Sequence, residues 1–265
     1  MWYAPARLPQ RVPTDPPTRR VAVTHAAEAG DDTIAAEAPL ELRVEGIAAV
    51  LTMRTPGHDL DLAAGFLLAA GVVDGWDDVR AMAQVADNVV DVRLAEGVPA
   101  GRARSADRAI FASSSCGLCG VASLDRLPRP QARGAGWVPD DAVLGAVVAA
   151  LSAEMTTFAA TGGVHGAALF SADGTLLVVR EDVGRHNAVD KVIGARLRQD
   201  GDCIGLGLVV SSRAGFEIVQ KAVAAGVGCM VVFGAATSLA VDTAAKAELP
   251  LIGWAARRPV RYGAP

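Results

Sequence analysis

Two hydrophobic periods divide the chain. In its first part, apolar and polar positions alternate with period two. Arg20-Val21-Ala22-Val23 and Leu40-Glu41-Leu42-Arg43-Val44 follow this alternation, the pattern of strands with one buried face. Glu45-Gly46 is a turn into Ile47–Met53, and Thr55-Pro56-Gly57 ends that hairpin. Asp59 or Asp61 then opens a helix through Phe66 and Leu67 that stops at Gly71, and Val85–Val92 returns to strand. His58 falls in the turn and reads as a solvated histidine. From Asp140 the period becomes helical. Val143, Leu144, Val147, Val148, Leu151, Met155 and Phe158 form one stripe behind an Asp140 N-cap. Ala167–Ser171 and Thr175–Val179 are strands joined through Asp173-Gly174. Asn187 reads as the cap of a helix bearing Val189, Val192, Ile193 and Leu197. Strand and helix then alternate through Ile204–Val210, Phe216–Ala225, Cys229–Phe233, Leu239–Glu248 and Leu251–Trp254. That order predicts right-handed crossovers and a largely parallel sheet, with ligands beyond the carboxyl ends of its strands.

The organisation expected from these patterns has four parts. Residues 1–20 are a proline- and arginine-rich disordered tail, and 21–128 an α+β unit. Residues 129–139 form a linker of proline, glycine and arginine, and 140–265 an α/β domain. Hydrophobic residues make up 51% of 265, enough for a sizeable core. The net charge of −4 gives no argument for nucleic acid or an anionic membrane as partner. No apolar run reaches the length of a membrane span, and no signal peptide is visible. Four cysteines are too few for a disulfide framework in so long a chain, so a cytoplasmic protein with reduced thiols is expected.

Candidate chemistry begins at Ser113-Ser114-Ser115-Cys116-Gly117-Leu118-Cys119-Gly120. Serine and glycine flank the two sulfurs, and an amphipathic stretch, Val121–Leu127, puts Gly120 at a helix start. A thiol there has a lowered pKa. Such a pair can do dithiol redox chemistry, bind half of a zinc site or carry sulfur as a persulfide; two buried small hydrophobes are the bland alternative. Cys203 and Cys229 lie in or beside core strands and read as structural. Arg180 to Lys191 is the densest polar stretch of the second half. It is either a solvated loop with a helix cap, or a site in which arginine forks bind phosphate or carboxylate and a histidine carries protons. On the second view Arg185 and His186 serve a cofactor, are exposed and are dispensable to folding. The strand ends carry Ser211, Ser212, Arg213, Thr237, Ser238 and Trp254. Arg257, Arg258 and Arg261, beside Trp254 and Tyr262, are either a solvated tail or a clamp for a phosphorylated ring system. Neither Gly162-Gly163 nor Gly234 fits a known phosphate-loop pattern.

Several of these segments together resemble the formate dehydrogenase accessory sulfurtransferases, the FdhD family, over residues of about 21 to 255. They are Glu37-Ala38-Pro39-Leu40, Thr55-Pro56-Gly57 with Leu62 to Leu67, Ser114 to Gly120, Thr161 to His165, Arg180 to Lys191, Ser211 to Glu217 and Thr237 to Val241. The tail from Gly253 to Tyr262 departs from the family pattern. The resemblance implies a cytidine-deaminase-like three-layer α/β/α domain with a smaller N-terminal α+β domain, and a homodimer. It implies a carrier that takes sulfur from a cysteine desulfurase on Cys116, with Cys119 as partner. The carrier then sulfurates the molybdenum bis(molybdopterin guanine dinucleotide) cofactor for formate dehydrogenase. GDP is the expected analogue of that cargo at the strand ends, and no permanent metal is expected. Three rivals stay open. A zinc deaminase needs H-x-E, but His165 is followed by Gly166 and Ala167. A dithiol oxidoreductase needs a thioredoxin unit around the cysteines, and a non-catalytic cofactor chaperone would survive loss of Cys116.

Overall fold

The computed structural model describes residues 16–25, 28–99, 135–254 and 258–263. Among these, twelve strands form three sheets. β1 (Thr18–His25) and β2 (Glu28–Ala35) are an antiparallel pair. β3 (Ala38–Val44), β4 (Ile47–Arg54), β5 (Val79–Ala86) and β6 (Val89–Leu94) form a sheet of order β4-β3-β6-β5. β7 (His165–Phe170), β8 (Leu176–Asp182), β9 (Gly207–Val210), β10 (Cys229–Val232), β11 (Leu251–Gly253) and β12 (Val260–Tyr262) form the third, of order β12-β11-β10-β9-β7-β8. The helices are α1 (Asp59–Ala69), α2 (Asp141–Glu154), α3 (Thr156–Thr161), α4 (Arg185–Asp200), α5 (Phe216–Ala225) and α6 (Ser238–Lys246).

The six-stranded sheet is buried on both faces, and alternate residues of its strands serve two clusters. Leu169, Leu208, Val210, Met230, Val232 and Leu251 pack with apolar residues of α4, α5 and α6. Ala168, Phe170, Val209, Cys229, Val231 and Ile252 pack with Leu144, Val147 and Leu151 of α2. Helices on both faces of one sheet make three α/β/α layers. The first cluster does not stop at the sheet's helices. It continues through α1 into Leu40, Leu42, Val90 and Val92 of the four-stranded sheet. α1 and α4 cross where both are glycine. A Cβ at Gly65 would collide with the Asp190 carbonyl, and one at Gly194 with that of Asp61.

Several expectations change. The sheet is mixed: only β9, β10 and β11 run parallel, because β7 pairs antiparallel with both β8 and β9, and β12 returns along β11. The stretch Val85–Val92 is not one strand. Asn88 takes φ 58°, a left-handed conformation that asparagine tolerates, and turns β5 back into β6. The stripe behind Asp140 breaks at Met155; Phe158 lies on the separate α3 and is 47% exposed. Asp140 itself caps α2 as expected, accepting from Val143 N at 2.8 Å. Asn187 is not a cap, since α4 starts at Arg185 behind Gly184. Trp137, read as linker, packs edge-on against Phe170 and donates to the Gly205 carbonyl. No helix among the described residues is long and apolar enough to cross a membrane.

Candidate functional site

The carboxyl ends of β9, β10 and β11 share one rim of the large sheet, which brings together Ser211, Ser212, Arg213, Thr237, Ser238 and Trp254. Ser211 Oγ accepts from Gly166 N at 2.9 Å, and Ser212 donates to the Arg213 carbonyl. Thr237 caps α6 through Ala240 N. These hydroxyls already serve the backbone, yet each retains capacity for a further hydrogen bond. Arg213, Thr237 and Ser238 are exposed. Trp254 lies against α2, its ring edge 3.8 Å from the place of a Cβ on Gly145. Tyr262 seals the end of the rim by accepting from Ala236 N at 3.2 Å. Arg258 is exposed, whereas Arg261 pairs with Asp141. Arg257 lies outside the described residues.

The Arg180–Lys191 segment is no solvated loop. Asp182 and Lys191 form a buried ion pair at 2.7 Å with side chains 0% and 1% exposed. Around it all three polar backbone and side-chain groups of Thr55 are engaged. Thr55 N donates to Asp182, Thr55 Oγ1 accepts from Val183 N, and the Thr55 carbonyl accepts from Lys191 Nζ. Asn187 donates to the Met53 carbonyl and to Asp182. Arg180 and Arg198 both hold Asp61, Lys221 Nζ donates to both carboxylate oxygens of Asp190, and Glu181 caps α3 by accepting from Thr157 N and Phe158 N. Burial pushes the Asp190 carboxyl up, and Lys221 pulls it back. Arg54 grips Asp59 with a two-point fork, both side chains 2% exposed. Most of this segment therefore ties β8 and α4 to α1 and the end of β4.

Its remaining members face the rim. His186 Nε2 lies 3.0 Å from Glu217 Oε2, with 19% and 15% of the two side chains exposed, so His186 is more enclosed than expected. Glu217 stands at the start of α5, and His165 opens β7 beside Ser211. Burial, then Arg185 and His186, hold the His165 pKa down. His58 is the turn histidine expected from the sequence, its side chain 57% exposed and 3.6 Å from Asp61; the covered part of its ring, then Arg180, lowers its pKa. Among the described residues no group of His, Cys, Asp and Glu could hold a metal. Cys203 and Cys229 are both free and buried. Burial pushes Cys203 up to about 12 and Cys229 higher still, so neither offers a thiolate near neutral pH. Cys116 and Cys119 lie outside the described residues.

The model of the FdhD/NarQ family matches residues 35–262. The chain belongs to that family. It is similar to "Sulfur carrier protein FdhD" of Nocardia farcinica, 44% identical over 257 residues that cover 89% of each chain. It is similar to that of Streptomyces avermitilis, 44% identical over 241 residues and 84% of each. The protein of the same name from Mycobacterium tuberculosis is 42% identical over 239 residues, 84% of this chain and 86% of the other. Among solved structures, a protein described as a formate dehydrogenase accessory protein from Desulfotalea psychrophila superposes with TM-score 0.72 at 21% identity. It covers 94% of this chain and 96% of that one, a likeness of fold.

In this FdhD/NarQ member, sequence reasoning missed Glu217, Asp61 and Thr55 as parts of the constellation. Glu217 sat in the matched stretch Ser211–Glu217, but nothing local paired it with His186, which lies on another helix. Asp61 and Thr55 meet Arg180 and Asp182 across 119 and 127 positions, beyond any local pattern.

Proposed function

We propose that the chain is a sulfur carrier serving formate dehydrogenase. Its relatives at 44% identity over most of both chains are named sulfur carrier proteins, and this is the observation on which the reading rests. The chemistry of its cysteines agrees. Cys203 and Cys229 are sealed in the core with raised pKa values, which leaves the glycine-flanked Cys116 and Cys119 for sulfur chemistry. The Cys116 thiolate attacks the outer sulfur of a cysteine desulfurase persulfide; that S–S bond breaks and the desulfurase thiolate leaves. Cys116 then carries the sulfane sulfur to the molybdenum bis(molybdopterin guanine dinucleotide) substrate. Where Cys119 attacks Cys116 Sγ, hydrosulfide leaves, a disulfide remains, and an external thiol must reduce it before the next cycle. The rim of Ser211–Arg213 and Thr237–Ser238, with the helix starts behind it, takes the nucleotide end of the cargo, since free N–H groups at helix starts favour phosphate. The working form is a homodimer in the cytoplasm.

Mass spectrometry after incubation with a desulfurase and cysteine tests the carrier. Cys116 should gain the mass of sulfur and Cys203 and Cys229 should not; equal loading of a Cys116→Ala variant would refute the assignment. Calorimetry tests the rim. GDP should bind and ATP much less, and Arg213→Ala should weaken GDP without lowering persulfide loading on Cys116.

A further inference from the structure

Glu217 holds one unexplained atom. Its Oε2 meets His186 Nε2 at 3.0 Å, whereas Oε1 is buried with no hydrogen-bond partner among the described residues. A carboxylate oxygen taken out of water without a donor is costly, and such atoms in folded proteins call for a reason. Other enclosed carboxylates here are satisfied: Asp59 by Arg54, Asp182 by Lys191 and backbone N–H groups, Asp190 by Lys221. The exception lies at the rim, between the starts of α4 and α5, and the pair keeps 19% and 15% of its side chains exposed. His186 and the two helix starts beside it suit anions. Oε1 alone asks for a donor, so it suits the uncharged, N–H-bearing part of a ligand whose charge lies elsewhere.

A carboxylate matches a planar edge in which a ring N–H and an amino group lie side by side, as it matches the fork of an arginine. Guanine and pterin share that 2-amino-4-oxo edge. We propose that Glu217 is the acceptor for the 2-amino-4-oxo edge of the cargo, and that His186 is the positioning residue that holds its carboxylate in place. The inference rests on the reading that the rim takes the cofactor, and it adds the atom that tells its rings from others.

The test compares ligands that differ by the amino group alone. Calorimetry on the full chain uses GDP against IDP, and 6-hydroxymethylpterin against the corresponding lumazine. At least one amino-bearing ligand should bind roughly ten- to hundredfold more tightly than its partner, the worth of a hydrogen bond to a charged group. In Glu217→Gln, whose amide oxygen still accepts from His186, that ratio should fall towards one while IDP or lumazine affinity changes little. A loss confined to the first pair assigns the guanine end, and one confined to the second assigns the pterin end. No binding of either ring, no discrimination by the unsubstituted chain, or discrimination that survives Glu217→Gln overturns the proposal. The ligand comparison needs no variant, so misfolding of Glu217→Gln does not blunt it. Failure of the sulfur-carrier reading would show separately, as Cys116 without persulfide.

Discussion

Lys191 illustrates how a charged residue in a motif serves the fold. Its ammonium is 1% exposed and is held by Asp182 and the Thr55 carbonyl. Lys191→Ala would strand the Asp182 carboxylate in the core, so unfolding in urea should show a loss of about 3–5 kcal/mol. Arg213→Ala, at an exposed site, should stay within about 0.5 kcal/mol of the parent. The cysteines give a second contrast. With Cys203 pushed up to about 12 and Cys229 beyond it, both should resist iodoacetamide in the native protein at neutral pH and react once it unfolds. Two histidines contribute to the acid side of the stability profile. His165 and His58 have folded pKa values below the ordinary 6.5, so near that pH the unfolded chain binds more protons. The stability they contribute is complete above pH 6.5 and is lost as pH falls through their depressed folded values. His165→Gln should flatten the fall of the urea midpoint below that pH, and an unchanged slope would remove His165 from the account. At this scale the sequence announced the polar residues and withheld their partners. The run Arg180–Lys191 stands out by composition, but its meaning depends on Thr55, Asp61 and Glu217, which only the fold brings near.

Elements were legible where periodicity was clean. The β3–β4 hairpin, α1, α2, α5 and the alternation from β9 to β11 follow from apolar spacing and capping residues. β2 and β12 were not legible. Glu28–Ala35 is rich in acids and alanine, and Val260–Tyr262 is three residues long among arginines, so neither shows a two-residue period. Parallel against antiparallel order was lost for a related reason, because pairing partners leave no trace in local spacing. Asp140 offers a check on the part that was read: Asp140→Ala should cost about 1 kcal/mol, the worth of one N-cap. The α1–α4 crossing offers a sharper one. Gly65→Ala or Gly194→Ala places a methyl group on a partner backbone carbonyl, so the helices must part. Overpacking of this kind costs about 1–3 kcal/mol or more, and a neutral result in thermal unfolding would mean that the crossing is loose.

For the whole molecule, the apolar core runs from the four-stranded sheet through α1 and α4 into the six-stranded sheet. Buried ion pairs and the Thr55 ties follow the same route. Trp76 packs against this core on the side of the four-stranded sheet, while Trp137 and Trp254 pack against the α2 cluster. Unfolding followed by tryptophan emission and by helical dichroism should therefore coincide in one transition.

The short strand β12 has a consequence at the level of many molecules. Paired along β11 and fixed by Tyr262 on Ala236 N, it occupies the backbone groups that β11 would otherwise present to solvent. A chain cut at Pro259 would bare that edge beside a core strand, a template onto which another chain's strand can add. Light scattering of the shortened chain should rise with concentration and time, while that of the full chain stays flat; equal scattering would mean that β12 guards nothing.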